Sequence, residues 1–338
     1  MESNQTLNIP VMLDVFCRPE KLEIVFEVLK RVKPSILFLV SDGPRVGNQE
    51  DVKLISKSRQ IVSDIDWDCD VHRLYFDTNM GLYRKNEVAL DYIFDRVDRL
   101  IFLEDDIVAD ASFFYLCEDL LERYKSDLRI NMICGHNPLG SYDKCPYDYF
   151  FSEAASIWGV AFWRRTYELF KMGFSYQSNL YERDLLRDIS RDYKRFSAQL
   201  SALPKFGFYK GHPAGLEFWL RLNNVGHSQL NIIVSRNMIS NIGFGHNASH
   251  ASPLILMPRK IQRLFNMDTF NVRLPLKHPP YIINDKVYRN KIWKLIYGGR
   301  FESKLLRPTE SVLRYLAFGS KKIMFSKILN RIRPKQEK

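Results

Sequence analysis

The chain has 338 residues, 46% hydrophobic and 26% charged. These values exclude wholesale disorder and supply enough apolar surface for a large core without disulfide staples. The net charge of +11 suggests a nucleic-acid partner at first sight, but residues 286–338 hold 15 Lys and Arg against 3 acidic residues, so the remainder is close to neutral. A neutral body with a basic tail argues against a groove that tracks a phosphate backbone and for an anionic surface docking onto the tail.

Val11–Val15 is a short strand candidate, and Pro19 follows at a first-turn position with Leu22, Val25, Phe26 and Leu29 at helical spacing. Ile36–Val40 is an apolar run of strand length ended by Asp42-Gly43-Pro44, and Val52, Ile55 and Ile61 mark a weaker helix. Val71–Phe76 predicts another strand, and Val88 to Phe94 a helix after Asn79-Met80-Gly81. Leu100–Leu103 runs as a strand into Glu104-Asp105-Asp106. Phe113 to Leu121 is helical, and Ile130–Cys134 closes the series as a strand. This alternation predicts βαβ units and a mainly parallel sheet flanked by helices. Ligands of such sheets bind beyond the carboxyl ends of the strands, where Asp42, Asn79, Asp105 and Asp106 fall.

Residues 136–280 are less regular. They hold aromatic stretches (Tyr147 to Phe151, Trp158 to Trp163), helical candidates at Arg164–Lys171, Arg183–Arg195 and Gly215–Leu222, and a Gly- and Asn-rich loop from Asn237 to His250. From about Pro308 the pattern turns amphipathic, with Val312, Leu313, Leu316, Ile323, Met324, Ile328 and Leu329 on one face. The expected organisation is a regular first half at 1–135, a less regular second half of the same domain at 136–284 and a basic helical tail at 285–338.

Three consecutive carboxylates after a strand repel one another unless a cation compensates. Mn2+ and Mg2+ prefer such hard oxygen ligands, often taking one or two carboxylates with phosphate and water completing the shell. The plainer reading of Glu104-Asp105-Asp106 is a solvated acidic turn. Asp42 can accept hydrogen bonds from a nucleobase or ribose, Gly81 in the Asn79 turn lets backbone approach a phosphate, and Arg18 can contact a nucleotide. Read singly, these are ordinary turn residues and a surface arginine.

Taken in order, Cys17-Arg18-Pro19, Asp42-Gly43-Pro44, Asn79-Met80-Gly81 and the segment Leu103–Phe114 around Glu104-Asp105-Asp106 resemble GT-A glycosyltransferases, especially the group related to N-acetylglucosaminyltransferase I and bacterial family-2-like sugar transferases. Ala155–Trp163 is similar to the aromatic Trp-Gly-x-Ala-x-Trp segment of the bacterial members, and Asn241–Gly245 with His250 to their late glycine loop. The likeness spans roughly residues 9–250. It implies a GT-A-like α/β fold and transfer of a sugar from a nucleotide-sugar, preferably a UDP-sugar, to an acceptor hydroxyl. It also implies Mn2+ or Mg2+ on Asp106, the ribose on Asp105, the nucleoside or loop order on Glu104, uracil at Asp42, and Arg18 beside the nucleotide. Asn79 and Gly81 complete the donor set.

Glu217, two residues before Trp219, occupies the place of the acidic residue that deprotonates the acceptor in inverting relatives; the alternative is a helix-face glutamate. Such a base must come within hydrogen-bond reach of the hydroxyl. His250 is assigned to the metal or donor phosphate, as late histidines are in some GT-A enzymes, or is a loop histidine without a ligand. Trp158 and Trp219 are the right type to stack on an acceptor sugar, against the alternative of core packing.

The tail reads as a solvated helix or, as preferred, an interfacial helix with Lys and Arg toward anionic lipid. The N-terminal MESNQTLNIP lacks the basic and apolar regions of a secretory signal, no run of 18 apolar residues occurs, and the five cysteines are scattered with no C-x-x-C pair. A cytoplasmic protein, peripheral on the inner face of the membrane, is therefore expected. Its partners would be a nucleotide-sugar and a glycan or lipid-linked acceptor in surface polysaccharide, lipopolysaccharide or capsule assembly, with no nucleic acid. The rival readings are a sugar-phosphate nucleotidyltransferase and a non-catalytic protein binding anionic lipid or nucleic acid.

Overall fold

The computed structural model describes residues 7–171, 179–189, 208–209, 212–213, 224–243, 257–297, 309–310 and 312–313. In chain order they form β1 (Val11–Val15), α1 (Pro19–Val32), β2 (Ile36–Ser41), α2 (Gln49–Ile61), β3 (Asp70–Tyr75), α3 (Leu82–Phe94), β4 (Arg99–Glu104), β5 (Ile107–Ala109), α4 (Ala111–Arg123) and β6 (Ile130–Cys134). There follow β7 (Tyr149–Ser152), β8 (Val160–Trp163), α5 (Arg164–Lys171), α6 (Leu180–Ile189), β9 (Phe208–Tyr209), β10 (His212–Pro213), β11 (Leu230–Val234), β12 (Ile239–Asn241), α7 (Arg259–Gln262) and α8 (Lys286–Tyr297). Two compact units arise: Met1–Ile242 with Asn266–Ile292, and Gly243–Phe265 with Trp293–Lys338. The sheet and the site described below belong to the first. Among the described residues no helix is long and apolar enough to cross a membrane.

The expected α/β architecture is what the chain adopts. Eight strands run in the order β3-β2-β1-β4-β8-β6-β11-β7. The β1, β2, β3 and β4 pairings are parallel, as is β6 with β11, whereas β8 and β7 are antiparallel to their neighbours. The pattern reading did not resolve β7, β8 and β11 as strands. β7 and β8 are buried along their whole length, so no polar alternation marks them, and β8 enters the sheet between β4 and β6 from further along the chain.

Every residue of β1 is buried because the sheet is covered on both faces. Val11, Leu13 and Val15 join the core formed with α1 and α4, and by strand alternation Met12 and Asp14 face the other side. There Phe38 stacks on His72 at 4.7 Å and meets Tyr92 of α3 edge-on, and Phe94 of α3 packs on Phe162 of β8 at 5.6 Å. Helix α1 starts with proline in its first turn, buries Leu22, Val25, Phe26, Leu29 and Val32 along one stripe, and ends where Lys33 turns left-handed. Burying each such side chain contributes about 1.5–3 kcal/mol. Helix α4 starts where the Asp110 carboxylate accepts the Ser112 N–H at 2.9 Å. Its Cys117 and the Cys134 of β6 are fully buried free thiols.

Of the remaining sequence expectations, α5 matches its segment, and α6 covers the first part of the Arg183–Arg195 candidate. The Gly215–Leu222 helix and nearly all of the amphipathic tail lie outside the described residues.

Candidate functional site

The parallel register sets Val40, Asp14 and Glu104 side by side on β2, β1 and β4. Strand β4 ends in that row and β1 and β2 one residue beyond it, and the departing turns carry Arg18, Asp42 and Asp105-Asp106. The turn after β3 adds Asn79 and Gly81. All the donor-side residues singled out from sequence therefore gather at one sheet edge. Glu217, Trp219 and His250 lie outside the described residues.

Asp42 is the hub of the β2 and β3 turns. Its Oδ1 accepts the N–H groups of Gly43 (2.9 Å) and Met80 (2.8 Å), and its Oδ2 accepts Gly81 N–H (3.0 Å) and Asn79 Nδ2 (3.1 Å). Asn79 Nδ2 also donates to Gly43 O at 3.0 Å. A carboxylate offers about four lone-pair sites, so a nucleobase donor would have to displace one of these partners. Glycine is required at two points. A Cβ on Gly43 would stand 2.4 Å from Thr78 N, and Gly81 adopts φ +77°.

Arg59 of α2 braces the same turns from below. Its Nη2 donates to the carbonyls of Ser41 (3.4 Å), Asp42 (3.3 Å) and Phe76 (2.8 Å), its Nε donates to Ser41 Oγ (3.0 Å), and the guanidinium lies 4.7 Å from the Tyr75 ring centre. Sequence reasoning missed Arg59, since its carbonyl partners leave no trace in residue spacing.

The acidic turn is buried: Asp105 is 4% and Asp106 6% exposed. Asp105 Oδ2 accepts Phe16 N–H at 2.9 Å and its Oδ1 accepts Arg18 Nη1 at 3.1 Å. The same Nη1 pairs with Asp106 Oδ2, whereas Asp106 Oδ1 is buried with no hydrogen-bond partner. Beneath them Asp14 forms a buried ion pair with Lys85 of α3, a second partnership the sequence did not reveal. Burial first, and then the neighbouring Asp106, Asp14 and Asp105 charges, push Glu104 up to about 8. Burial likewise raises Asp105 to about 7 against the pull of Arg18, and raises Asp106 against Arg18 and Lys21. The beside-lying Cys17 thiol is pushed by burial to about 12, which keeps it protonated and inert.

These carboxylates are incompletely compensated, and one oxygen waits for a partner. That suits a hard divalent ion taking one or two protein carboxylates, its shell closed by phosphate and water. Among the described residues no group of three His, Cys, Asp or Glu could hold a metal ion by itself.

The other end of this edge is built differently. Register places Val160 of β8 opposite Phe102 and Cys134, so Trp158 sits near the level of Glu104. Trp158 is partly exposed and packs on His136, with ring centres 4.8 Å apart. His136 Nδ1 and Ser156 Oγ are 2.9 Å apart, and Nε2 is buried without a partner. Burial lowers the imidazole to about 3, so it is neutral. Sequence reasoning did not single out His136. Gly159 adopts φ +63°, and a Cβ there would lie 2.4 Å from Ile239 Cδ1. Strand β12 pairs antiparallel with β5, and Ile242 N–H donates to Asp106 O at 2.9 Å, tying this region to the acidic turn.

No protein-family model and no curated protein matches the chain. Among solved structures it is similar to residues 1–349 of S. aureus TarS, at 9% identity and TM-score 0.38 over 69% of this chain and 59% of that one. It is also similar to mouse xyloside xylosyltransferase 1 in its apo form, at 13% identity and TM-score 0.35 over 67% of this chain and 84% of that one. The third is HddC from Yersinia pseudotuberculosis, at 12% identity and TM-score 0.25 over 37% and 57%. The chain thus spans under two thirds of the TarS and HddC lengths.

Proposed function

We propose that this chain is a metal-dependent glycosyltransferase that moves a sugar from a nucleotide-sugar, preferably a UDP-sugar, to an acceptor hydroxyl. The observation that carries the reading is the buried Asp105–Asp106 pair at the end of β4, with Asp106 Oδ1 unpartnered. It lies on the sheet edge where the β1 and β4 turns meet. Mn2+ or Mg2+ held by Asp106 would neutralise charge on the departing diphosphate. Arg18 presents a positive charge to the same group. Asp105 orders the β1 turn through Phe16 N–H, and Glu104, held mostly protonated by burial, stands behind it. Asp42 shapes the nucleoside-facing loop rather than spending its oxygens on the base, with Asn79 and Gly81 at its lip. Trp158, backed by neutral His136, offers a face on which a pyranose can lie.

Glu217 is assigned the base that takes the acceptor proton in an inverting displacement, Trp219 an acceptor contact and His250 the metal or phosphate. These three assignments rest on the sequence resemblance. The acceptor is a glycan or lipid-linked sugar of surface polysaccharide assembly, and the basic tail rests on the anionic inner face of the membrane. Co-sedimentation with anionic vesicles checks the tail: a version ending near Arg307 should be recovered less than the full chain, and equal recovery removes the idea.

The functional test is incubation with a panel of nucleotide-sugars and Mn2+. Release of nucleoside diphosphate with glycosylated acceptor supports the assignment. Pyrophosphate release identifies a sugar-phosphate nucleotidyltransferase instead, and inertness toward every donor favours a non-catalytic binding protein.

A further inference from the structure

Arg18 occupies the place a metal would need. A single nitrogen, Nη1, contacts Asp105 Oδ1 at 3.1 Å and also pairs with Asp106 Oδ2. Asp105 Oδ2 is committed to Phe16 N–H, and the guanidinium holds one oxygen of each carboxylate. What remains is Asp106 Oδ1, buried and unpartnered. One free oxygen beside a bound guanidinium is a poor seat for a divalent ion. The two positive groups would share one carboxylate in a site with little water between them, and like charges at contact distance in a desolvated site repel strongly. The Arg18 side chain is 16% exposed, and it belongs to the turn between β1 and α1, at the mouth of the cluster rather than in the core.

We propose that Arg18 is a built-in counter-cation that must leave the Asp105–Asp106 pair before a divalent ion binds there, so that metal and nucleoside diphosphate bind cooperatively. The displaced guanidinium needs a new anion, and a diphosphate arriving with the metal provides one. A guanidinium matches phosphate oxygens through paired N–H donors. Metal alone has to take both carboxylates from Arg18, and diphosphate alone has to compete with those carboxylates for it. Each ligand therefore removes the other's obstacle, and the coupling is reciprocal. This inference rests on the proposed nucleotide-sugar reading for its second ligand, but its first half concerns the metal alone.

The experiment is titration of Mn2+ into the full chain, followed by the electron paramagnetic resonance signal of free Mn2+, with and without saturating UDP. The native chain should bind Mn2+ weakly alone and at least about tenfold more tightly with UDP, within the usual range of coupling between ligands. In R18A, Mn2+ alone should bind about tenfold more tightly than in the native chain, and the gain from UDP should shrink. R18Q keeps hydrogen-bond donors for the carboxylates without the charge; it should behave the same way and serves if R18A loses its fold by circular dichroism. D106A defines the binding that belongs to this site. Mn2+ affinity that is unchanged or weaker in both folded Arg18 variants overturns the proposal, as does the absence of any Mn2+ binding sensitive to D106A. If UDP and other nucleoside diphosphates never bind the native chain, the functional reading fails, while the comparison of Mn2+ alone still decides whether Arg18 guards the pair.

Discussion

The two ends of the sheet edge are held in opposite ways. On the β1–β4 side the turns are fastened by charge and hydrogen bonds: Asp42 collects four donors, Arg59 braces the carbonyls, and Arg18 bridges two acids. On the β6–β8 side they are fastened by close apolar approach, with Gly159 against Ile239 and Trp158 against His136. Charged fastenings can be exchanged for a ligand's charges, because a new ion can replace an old one at similar cost. Packed fastenings cannot, and they suit a surface that must keep its shape while different partners visit. The contrast separates a charged side open to exchange from a fixed platform.

The largest break in that contrast should come from the charged side. Asp106→Ala removes the unpartnered oxygen, and transfer should fall about 10³-fold, the equivalent of about 4 kcal/mol of transition-state stabilisation; kcat/KM with saturating Mn2+ measures it. Next in size, Gly43→Ala drives a Cβ to 2.4 Å from Thr78 N, where the obstruction is backbone. It should cost at least about 2 kcal/mol in urea unfolding and raise the donor KM. Gly159→Ala meets a side chain instead, Ile239 Cδ1 at 2.4 Å. A loss of about 1–2 kcal/mol is expected, partly recovered by adding Ile239→Val, with the donor KM little changed. If that second substitution recovers nothing, the positive φ of Gly159 rather than crowding governs the platform.

The smallest effect sharpens the charged side alone. Glu104 titrates near 8 in the fold against an ordinary value of 4.5. The folded state thus binds this proton more tightly than the unfolded chain does, and the group's contribution to stability declines as pH rises from about 4.5 to 8. Thermal melts in a chelator should show Glu104→Gln gaining on the native chain across that window and matching it near pH 4.5. A parallel pair of curves would mean that Glu104 is not the group responsible.

The first four strand–helix units were legible because each is encoded locally, in an apolar run followed by a helical stripe such as Leu22, Val25, Phe26 and Leu29. The site turns were legible for the same reason, since Asp42-Gly43 and Asn79-Met80-Gly81 directly follow strands. Other features depend on residues far apart in the chain. Lys85 meets Asp14 across 71 positions, and His136 gains its meaning from Ser156 and Trp158. β8 joins the sheet between two strands that precede it, a placement no window of sequence contains. The sequence also suggested that Asp42 faces a base, because spacing cannot show that its oxygens are already taken by neighbouring N–H groups.

Three cysteines give this chain internal clocks. Cys17, Cys117 and Cys134 are at most 2% exposed and their thiols are held protonated by burial, so an alkylating reagent reaches them only when the surrounding structure opens. Cys17 adjoins Arg18 in the β1 turn, while Cys117 and Cys134 lie in helix and sheet interior. Labelling at the first would time the opening of the mouth of the acidic cluster, and labelling at the other two would time disassembly of the domain.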